Sequence, residues 1–262
     1  MDKPQFPRYQ YVTNKAAGNN MVHYSREFIR RLRLRHRGYI TLLAAQVIFL
    51  LLLPVAERYP AFQSFLNIAL AGVILGLVSR YTQIKKLNSV FFGLGIFAIT
   101  LEVIWRLSLE LLPNLGQWLT FLHVITWILF YFASILRLIK SLVREPFVTV
   151  AVVMAAVEGY LLIGVAGGVL LTATLELHPS AFDFNILTNG GTNNNLGSTS
   201  STVGHFSPVL MAAAFNLLTT VGSGVVNSGD TISSVVVTII TVSGQLYVAI
   251  LIALILGRSH SR

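Results

Sequence analysis

Cysteine is absent from this chain of 262 residues, and charged residues make up only 11% of it. Without cysteine there are no disulfide bonds, no thiolate metal ligands and no cysteine nucleophile. A soluble domain of this length needs far more charge to cover its surface, and here 54% of the residues are hydrophobic. The composition therefore excludes a soluble domain and predicts a membrane protein.

A signal peptide is also missing, because the first 38 residues have no apolar core and no small-residue cleavage site. We therefore expect the first long apolar stretch to be retained as a membrane span. Six stretches have the roughly 17 to 25 residues that a helix needs to cross a bilayer. They are residues 39–56, 61–79, 87–105, 118–139, 147–171 and 231–256. Because a helix satisfies its own backbone hydrogen bonds in lipid, we predict an all-α membrane protein with six transmembrane helices.

Basic residues fall almost entirely on one side of this topology. With the N-terminus in the cytoplasm, 17 of the 19 Lys and Arg residues lie in cytoplasmic segments, and only Arg58 and Arg106 do not. This is the positive-inside pattern of membrane proteins. We therefore predict a multi-pass protein of the plasma membrane with both termini in the cytoplasm. Topology accounts for the basic charge, which leaves membrane lipids as partners and gives no support to nucleic-acid binding.

Motifs of enzymes and of voltage sensors are missing from the sequence. It has no Walker loop, no dinucleotide fingerprint and no His-Glu-x-x-His, so catalysis is not predicted. Arg137, Lys140 and Arg144 cluster at the cytoplasmic end of the fourth span instead of repeating through it. We interpret them as membrane anchors.

The segment between the fifth and sixth spans differs from the rest of the chain. Residues 186–204 are polar and glycine-rich, which predicts a mobile extracellular loop. The apolar run at residues 209–218 is too short to span a membrane. Ser207 and Pro208 suit the N-cap and the first turn of a helix. We therefore predict a re-entrant helix that begins and ends at one face of the membrane.

This helix leads into Thr219-Thr220-Val221-Gly222-Ser223-Gly224, called here the glycine loop. Extended backbone at membrane depth is tolerated where it lines a watery path or is buried in protein. Successive carbonyl oxygens directed at one axis replace the hydration shell of a cation. Glycine at alternate positions, as at Gly222 and Gly224, allows the positive φ that this arrangement needs. The pattern predicts a carbonyl-lined path for cations in the glycine loop.

The chain resembles bacterial potassium-channel-family proteins that have four spans ahead of a two-span pore module. The resemblance rests on the glycine loop, on Gly244-Gln245-Leu246-Tyr247 in the last span, and on the distance between them. It implies a homotetramer in the bacterial inner membrane, with the filter at the outer mouth of a central pore. It also implies permeant K⁺, with Na⁺ where selectivity is relaxed, and no cofactor or further metal. By position the resemblance also implies a selectivity filter with ion-binding groups at Thr220, Val221, Gly222, Ser223 and Gly224. Gly244 would be a hinge or close-packing point of the pore-lining helix.

Two positions depart from the pattern of this family. Ser223 stands where a tyrosine is expected, and Val225 stands where an aspartate is expected. In the family these side chains brace the filter against aromatic residues of the short helix. Here pore support would come from Phe215, Asn216 and Thr219. A less braced filter would be wider or more mobile, so conduction is predicted without strict K⁺ selectivity.

Two acidic residues lie inside predicted spans. A carboxylate such as Glu158, near the middle of the fifth span, costs at least about 2.5 kcal/mol in lipid. Glu158 is therefore a candidate intramembrane polar site, either a partner of the glycine loop or ion relay, or a protonated or hydrogen-bonded packing residue. Glu102 and Arg106 are four residues apart, and we interpret them as a structural pair on one helix face.

Together these features predict three regions. They are a basic cytoplasmic segment (residues 1–38), a four-helix peripheral transmembrane bundle (39–145) and a pore module (146–262). The predicted function is a tetrameric, potassium-channel-like channel for monovalent cations. The alternative is a non-conducting accessory subunit with a degenerate pore fold, which the losses at Ser223 and Val225 favour. A secondary transporter would need a second broken helix in the first half of the chain, and the sequence offers none.

Overall fold

Helices make up nearly all of the part of the chain that the computed structural model describes, residues 26–81, 85–111, 113–143, 149–182, 199–222, 224–226 and 230–259. The α-helices in these ranges are α1 (Arg26–Leu51), α2 (Leu53–Arg58), α3 (Pro60–Tyr81), α4 (Lys85–Leu111), α5 (Pro113–Val143), α6 (Val150–Leu177), α7 (Thr199–Leu218) and α8 (Thr231–Ser259). A single 3-10 turn at Pro179–Ala181 follows α6. The all-α class is confirmed for these residues.

Four helices of the described ranges contain an apolar stretch long enough to cross a membrane. These stretches are Ser89–Ser108 in α4, Leu119–Val143 in α5, Val150–Leu177 in α6 and Thr231–Leu254 in α8. Their outer surfaces expose large apolar side chains such as Ile104, Phe132 and Leu246. Apolar outer surfaces suit helices surrounded by lipid, so the chain is a multi-pass membrane protein.

The first two predicted spans are shorter as apolar helices. Their apolar parts are Arg37–Leu51 in α1 and Ala61–Leu77 in α3. The helix of α1 ends before Pro54, the second residue of α2, because proline has no N–H and its ring clashes with the carbonyl four residues earlier. The six-span topology therefore stays a prediction, with four spans supported by helix length.

Helix α1 also runs through residue 38, where we placed the end of the basic cytoplasmic segment. The basic stretch from Arg26 and the first apolar stretch therefore form one continuous helix. Residues 1–25 of the predicted segment lie outside the described residues.

Prolines begin two of the described helices. Pro60 begins α3 and Pro113 begins α5, and a proline in the first turn needs no N–H partner.

The predicted start of the short helix at Ser207-Pro208 is wrong, because α7 begins at Thr199 and contains Pro208. A proline inside a helix removes one backbone hydrogen bond and can leave the flanking turns helical. Residues 199–204 of the predicted extracellular loop are therefore helical. Residues 186–198 of that loop lie outside the described residues.

Helix α6 lies at the centre of the bundle and contacts α1, α5, α7 and α8. Glycines on α6 allow this close packing. A methyl group at Gly164 would overlap the Phe215 ring of α7, and one at Gly168 would overlap Met211. The small residues let α7 approach α6 closely, as they do in membrane helix pairs. Helix α7 is thereby held between α6 and α8.

Two large apolar cores meet along α6, besides a smaller one around Val152 and Ala155. The first joins it to α1, α3, α4 and α5, and its largest fully buried side chains are Phe130, Tyr131 and Leu162. The second joins α6 to α7 and α8 around Leu210, Leu218 and Ile240. The second core therefore contains the helix that carries the glycine loop.

Candidate functional site

The C-terminal end of α7 is a site where every free helix carbonyl finds a partner. The last four carbonyl groups of an α-helix have no hydrogen-bond donor within the helix, so they need donors from elsewhere. Phe215 O accepts from the Thr219 N–H (3.0 Å), and Asn216 O accepts from the N–H groups of Val221 (3.0 Å) and Gly222 (3.2 Å). The other two carbonyls, those of Leu217 and Leu218, also accept hydrogen bonds.

Their partners come from three elements. Leu217 O accepts from the Thr220 N–H (3.0 Å) and from the Thr241 hydroxyl of α8 (3.2 Å). Leu218 O accepts from the Tyr160 hydroxyl of α6 (3.1 Å). The end of α7 is therefore hydrogen bonded to α6, to α8 and to the glycine loop at the same time.

The glycine loop begins with a left-handed helix cap. Thr220 has a φ of 63° and Gly222 a φ of 86°, so positive φ occurs at alternate residues. Bonds from Val221 N to Asn216 O and from Thr220 N to Leu217 O match the Schellman motif that ends many helices. A β-branched residue such as Thr220 rarely adopts positive φ, so the backbone is strained there.

The same bonds fix the direction of three consecutive carbonyl groups. In a planar trans peptide the C=O points opposite to the N–H of the next residue. The N–H groups of residues 220, 221 and 222 all point back at α7, so the carbonyls of Thr219, Thr220 and Val221 point away from it. The Val221 side chain is 79% exposed. The Thr219 carbonyl accepts from the Thr220 hydroxyl (2.6 Å), and in a single chain the exposed residues Thr220 and Val221 present their carbonyl oxygens at an open surface.

The far side of the glycine loop is tied to the end of α6. Val226 forms an isolated antiparallel bridge with Phe182, which lies just beyond the 3-10 turn. Phe182 is buried in the second core, and Val225 packs against that core as well. Gly224 is exposed, and Ser223 lies outside the described residues. The loop is thus anchored at both of its ends, and Val221, Gly222 and Gly224 between them are exposed.

Comparison of the chain with protein-family models, with curated proteins and with solved structures gave no match. The functional reading of the site therefore depends on its own geometry.

The residues predicted to support the pore have different roles in the structure. The Phe215 ring packs on Gly164 of α6, and the Asn216 side chain is exposed while its carbonyl accepts two bonds from the loop. The Thr219 hydroxyl donates to Phe215 O (3.0 Å) in the last turn of α7. Support at the described residues therefore comes through backbone carbonyls and not through an aromatic brace.

Gly244 lies where α8 packs closely on the end of α7. A methyl group added there would lie 2.6 Å from Leu218 Cδ1 and 3.1 Å from Leu218 O. Only glycine leaves room for the two backbones at this distance. Gly244 therefore lets α8 pack directly on Leu218, the last residue of α7 before the glycine loop.

Glu158 is fully buried in α6. Neither of its carboxylate oxygens has a hydrogen-bond partner among the described residues. The hydrogen bonds of Thr219, Thr220 and Gly222 come from other groups. The structure thus places Glu158 in the helix bundle and does not join it to the glycine loop.

A polar face on α8 escaped the sequence analysis. Its members share one side of the helix because they are spaced three, four, three and four residues apart. They are Thr231, Ser234, Thr238, Thr241 and Gln245. The buried side of α8, which includes Val236, Ile240 and Tyr247, lies on a different face. The spacing was visible in the sequence, and it separates a polar, a buried and a lipid-facing side of one span.

A second polar cluster lies between α4 and α5 and replaces the expected pair of Glu102 with Arg106. Glu102 is 2% exposed, contacts His123 Nε2 at 2.5 Å and accepts from the Trp127 indole N–H at 2.7 Å. The His123 ring stacks on Trp105 with 4.3 Å between centroids. Glu102 pairs across helices because a buried carboxylate needs donors that lipid cannot supply. Its partners are distant in sequence, so helical spacing did not indicate them.

Neither cluster has the donor set of a metal centre. Within the described residues, no group of three or more His, Asp or Glu side chains is arranged to hold a metal ion.

Proposed function

We propose that this chain is a subunit of a homotetrameric, potassium-channel-like channel that conducts monovalent cations through the glycine loop. In this proposal six spans cross the plasma membrane of a bacterial cell, both termini are cytoplasmic, and α7 is a re-entrant helix. The observation that carries the proposal is the common direction of the Thr219, Thr220 and Val221 carbonyls. Carbonyl oxygens held together in this way replace the water around a dehydrated cation.

The position of the loop at the end of α7 favours a cation further. The C-terminus of a helix carries a partial negative charge of about half an elementary charge. The loop carbonyls extend from that end, so the helix and the loop both attract positive charge. Among the described residues, no Lys or Arg side chain bonds to the carbonyls of Asn216, Leu217 or Leu218. No cation of the protein therefore neutralises the negative end of this helix.

The polar face of α8 supports a water-filled path that continues from the loop. Serine, threonine and glutamine in an apolar span face protein or water in preference to lipid. The hydroxyl of Thr238 donates to Ser234 O (2.8 Å) and that of Ser234 donates to Asp230 O (2.9 Å). Four copies of this face around an axis would line a hydrated pore below the filter.

The non-conducting accessory subunit is the second candidate. It is favoured by the ordinary helix-ending motif at Thr220, which needs no ion to form. In that case the exposed loop and the polar face of α8 would contact a partner membrane protein. Ion flux and oligomeric state distinguish the two functions.

The test is K⁺ and Na⁺ flux into liposomes that contain the purified protein, together with its oligomeric state. Gly222→Ala is the key variant, because an alanine at φ 86° costs on the order of 1–2 kcal/mol in backbone strain. A methyl group there meets no atom within 4 Å, so packing does not change. Gly72→Ala in α3 is the matched control, since its methyl group also meets nothing and its backbone is helical.

A conducting tetramer that loses flux with Gly222→Ala and keeps it with Gly72→Ala would support the channel. Equal flux of both ions would identify a non-selective pore. A folded tetramer without flux would favour the accessory subunit. A monomer would rule out the channel, because the proposed pore lies on an axis shared by four chains.

A further inference from the structure

Two hydroxyl groups from different helices meet at the point where the glycine loop leaves α7. Tyr160 of α6 donates to Leu218 O (3.1 Å), and Thr241 of α8 donates to Leu217 O (3.2 Å). The donors are 58 and 24 residues from their acceptors in sequence. In both bonds a side-chain hydroxyl donates to a main-chain carbonyl. They therefore hold the backbone of α7 in place, whatever side chains Leu217 and Leu218 carry.

The two acceptors belong to a rigid part of the molecule. The Leu217 and Leu218 side chains are buried in the second core, 4% and 0% exposed. Gly244 brings α8 within contact of Leu218. Small displacements of this helix end are therefore opposed by packing on both sides.

The loop shares one of these acceptors. Leu217 O receives the Thr220 N–H as well as the Thr241 hydroxyl. Thr220 is the residue with strained backbone, and a strained φ persists only where the surroundings hold it. The residues that follow it, Val221 and Gly222, are exposed. The conformation of the loop is therefore fixed from its helix end.

We propose that Tyr160 and Thr241 are positioning residues that hold the carbonyls of the glycine loop in register. They act through Leu217 and Leu218 and take over the bracing that Ser223 and Val225 do not provide. The inference rests on the proposed channel function, because register matters only if the carbonyls bind an ion. It assigns K⁺ over Na⁺ discrimination to hydroxyl groups on α6 and α8.

The absence of cysteine makes loop motion measurable directly. A nitroxide spin label attached to Val221→Cys would be the single label in the chain, and its spectrum reports the mobility of the loop. The variants are Tyr160→Phe and Thr241→Val, each of which removes one hydroxyl at nearly constant shape. Thr241→Ser restores the hydroxyl and serves as the rescue.

Tyr247→Phe is the matched control for Tyr160→Phe. The Tyr247 hydroxyl donates to Ala156 O (2.8 Å) on α6, so its loss removes a similar bond without touching the end of α7. The two tyrosine rings lie 6.5 Å apart in the same core, which matches their surroundings.

We expect the mobile fraction of the label to rise about two- to tenfold in Tyr160→Phe and Thr241→Val, the range that corresponds to one hydrogen bond. Thr241→Ser and Tyr247→Phe should keep the spectrum of the parent protein. Equal mobility in all four variants would overturn the proposal, and so would a rise in Tyr247→Phe as large as in Tyr160→Phe.

K⁺ and Na⁺ flux through the variants Tyr160→Phe, Thr241→Val, Thr241→Ser and Tyr247→Phe distinguishes a failure of this inference from a failure of the proposed function. If the parent protein conducts, the K⁺ to Na⁺ flux ratio should fall by a similar factor in Tyr160→Phe and Thr241→Val alone. An unchanged ratio, or a parent ratio of one, would overturn the role in discrimination. If the parent does not conduct, the channel fails, and the role in selectivity fails with it. The spin label then still decides whether the two hydroxyls hold the loop.

Discussion

Thr220 is the residue at which the backbone of the candidate site departs most from ordinary geometry. Its φ of 63° is unusual for a β-branched side chain. Replacing it by glycine removes the clash between Cβ and the backbone, which is worth about 1–2 kcal/mol. Glycine also loses the hydrogen bond from the Thr220 hydroxyl to Thr219 O (2.6 Å). We therefore expect Thr220→Gly to be more stable than Thr219→Gly by about 1–2 kcal/mol, measured by denaturant titration in detergent.

Thr219→Gly is the matched control for this prediction. Thr219 has no positive φ, and its hydroxyl donates to Phe215 O at 3.0 Å. Glycine there loses that bond and adds freedom to the unfolded chain, so this variant should be less stable than the parent. Equal destabilisation by both glycines would contradict a strained Thr220.

The sequence indicated which residues form the glycine loop, but it did not indicate which groups hold the backbone of the loop in place. Alternating positive φ was expected at Gly222 and Gly224, and in the described residues it occurs at Thr220 and Gly222. Spacing identifies glycines that permit such a backbone. It does not reveal a threonine that is held there by the carbonyls of Asn216 and Leu217, because that bonding depends on where the helix ends.

At the level of helices, Gly244 decides how closely α8 packs on α7. A methyl group at Gly244 would lie 3.1 Å from Leu218 O, a backbone atom that α7 holds in place. We expect Gly244→Ala to lower the free energy of unfolding by about 1–3 kcal/mol, as in other overpacked sites. Ser243→Ala, one residue away and only partly buried, is the control and should change stability by less than about 0.5 kcal/mol. Equal stability of the two variants would show that α8 does not approach Leu218 this closely.

The hairpin of α4 and α5 offers a second comparison between two tryptophans. Trp127 donates its indole N–H to the Glu102 carboxylate, and Trp105 donates to the Thr120 hydroxyl, both at 2.7 Å. A hydrogen bond to a charged group contributes about 1.5–3 kcal/mol, and a neutral one about 0.5–1.5. Trp127→Phe should therefore destabilise the protein more than Trp105→Phe in thermal unfolding followed by circular dichroism. The reverse order would indicate that Glu102 is uncharged in the folded protein.

Helix identity was largely predictable because apolar runs of bilayer length allow little besides a helix. The boundaries of the helices were less predictable, because α7 begins eight residues before Ser207. Pairings between helices were the least predictable. Glu102 has a suitable cation at Arg106 on its own helix, yet it bonds to His123 and Trp127, because packing of α4 on α5 brings these donors to it.

For the molecule as a whole, α8 combines three surfaces that a single chain cannot all satisfy. One is buried against α6 and α7, one exposes Val235, Ile239 and Val242, and the third is the polar face. Lipid suits the second surface only. The polar face therefore needs water or another protein chain, and a central pore formed by four chains would supply the first of these.

Single cysteines in this cysteine-free chain distinguish the surfaces. Thr238→Cys places a thiol on the polar face, Ile239→Cys on the apolar face and Val236→Cys, where the parent side chain is 8% exposed, in the core. A charged, water-soluble thiol reagent reacts with the thiolate, which forms where water reaches the sulfur. In liposomes Thr238→Cys should react at least on the order of tenfold faster than the other two, and its modification should block flux. Protection of all three thiols would mean that the polar face is covered by protein, as in the accessory subunit.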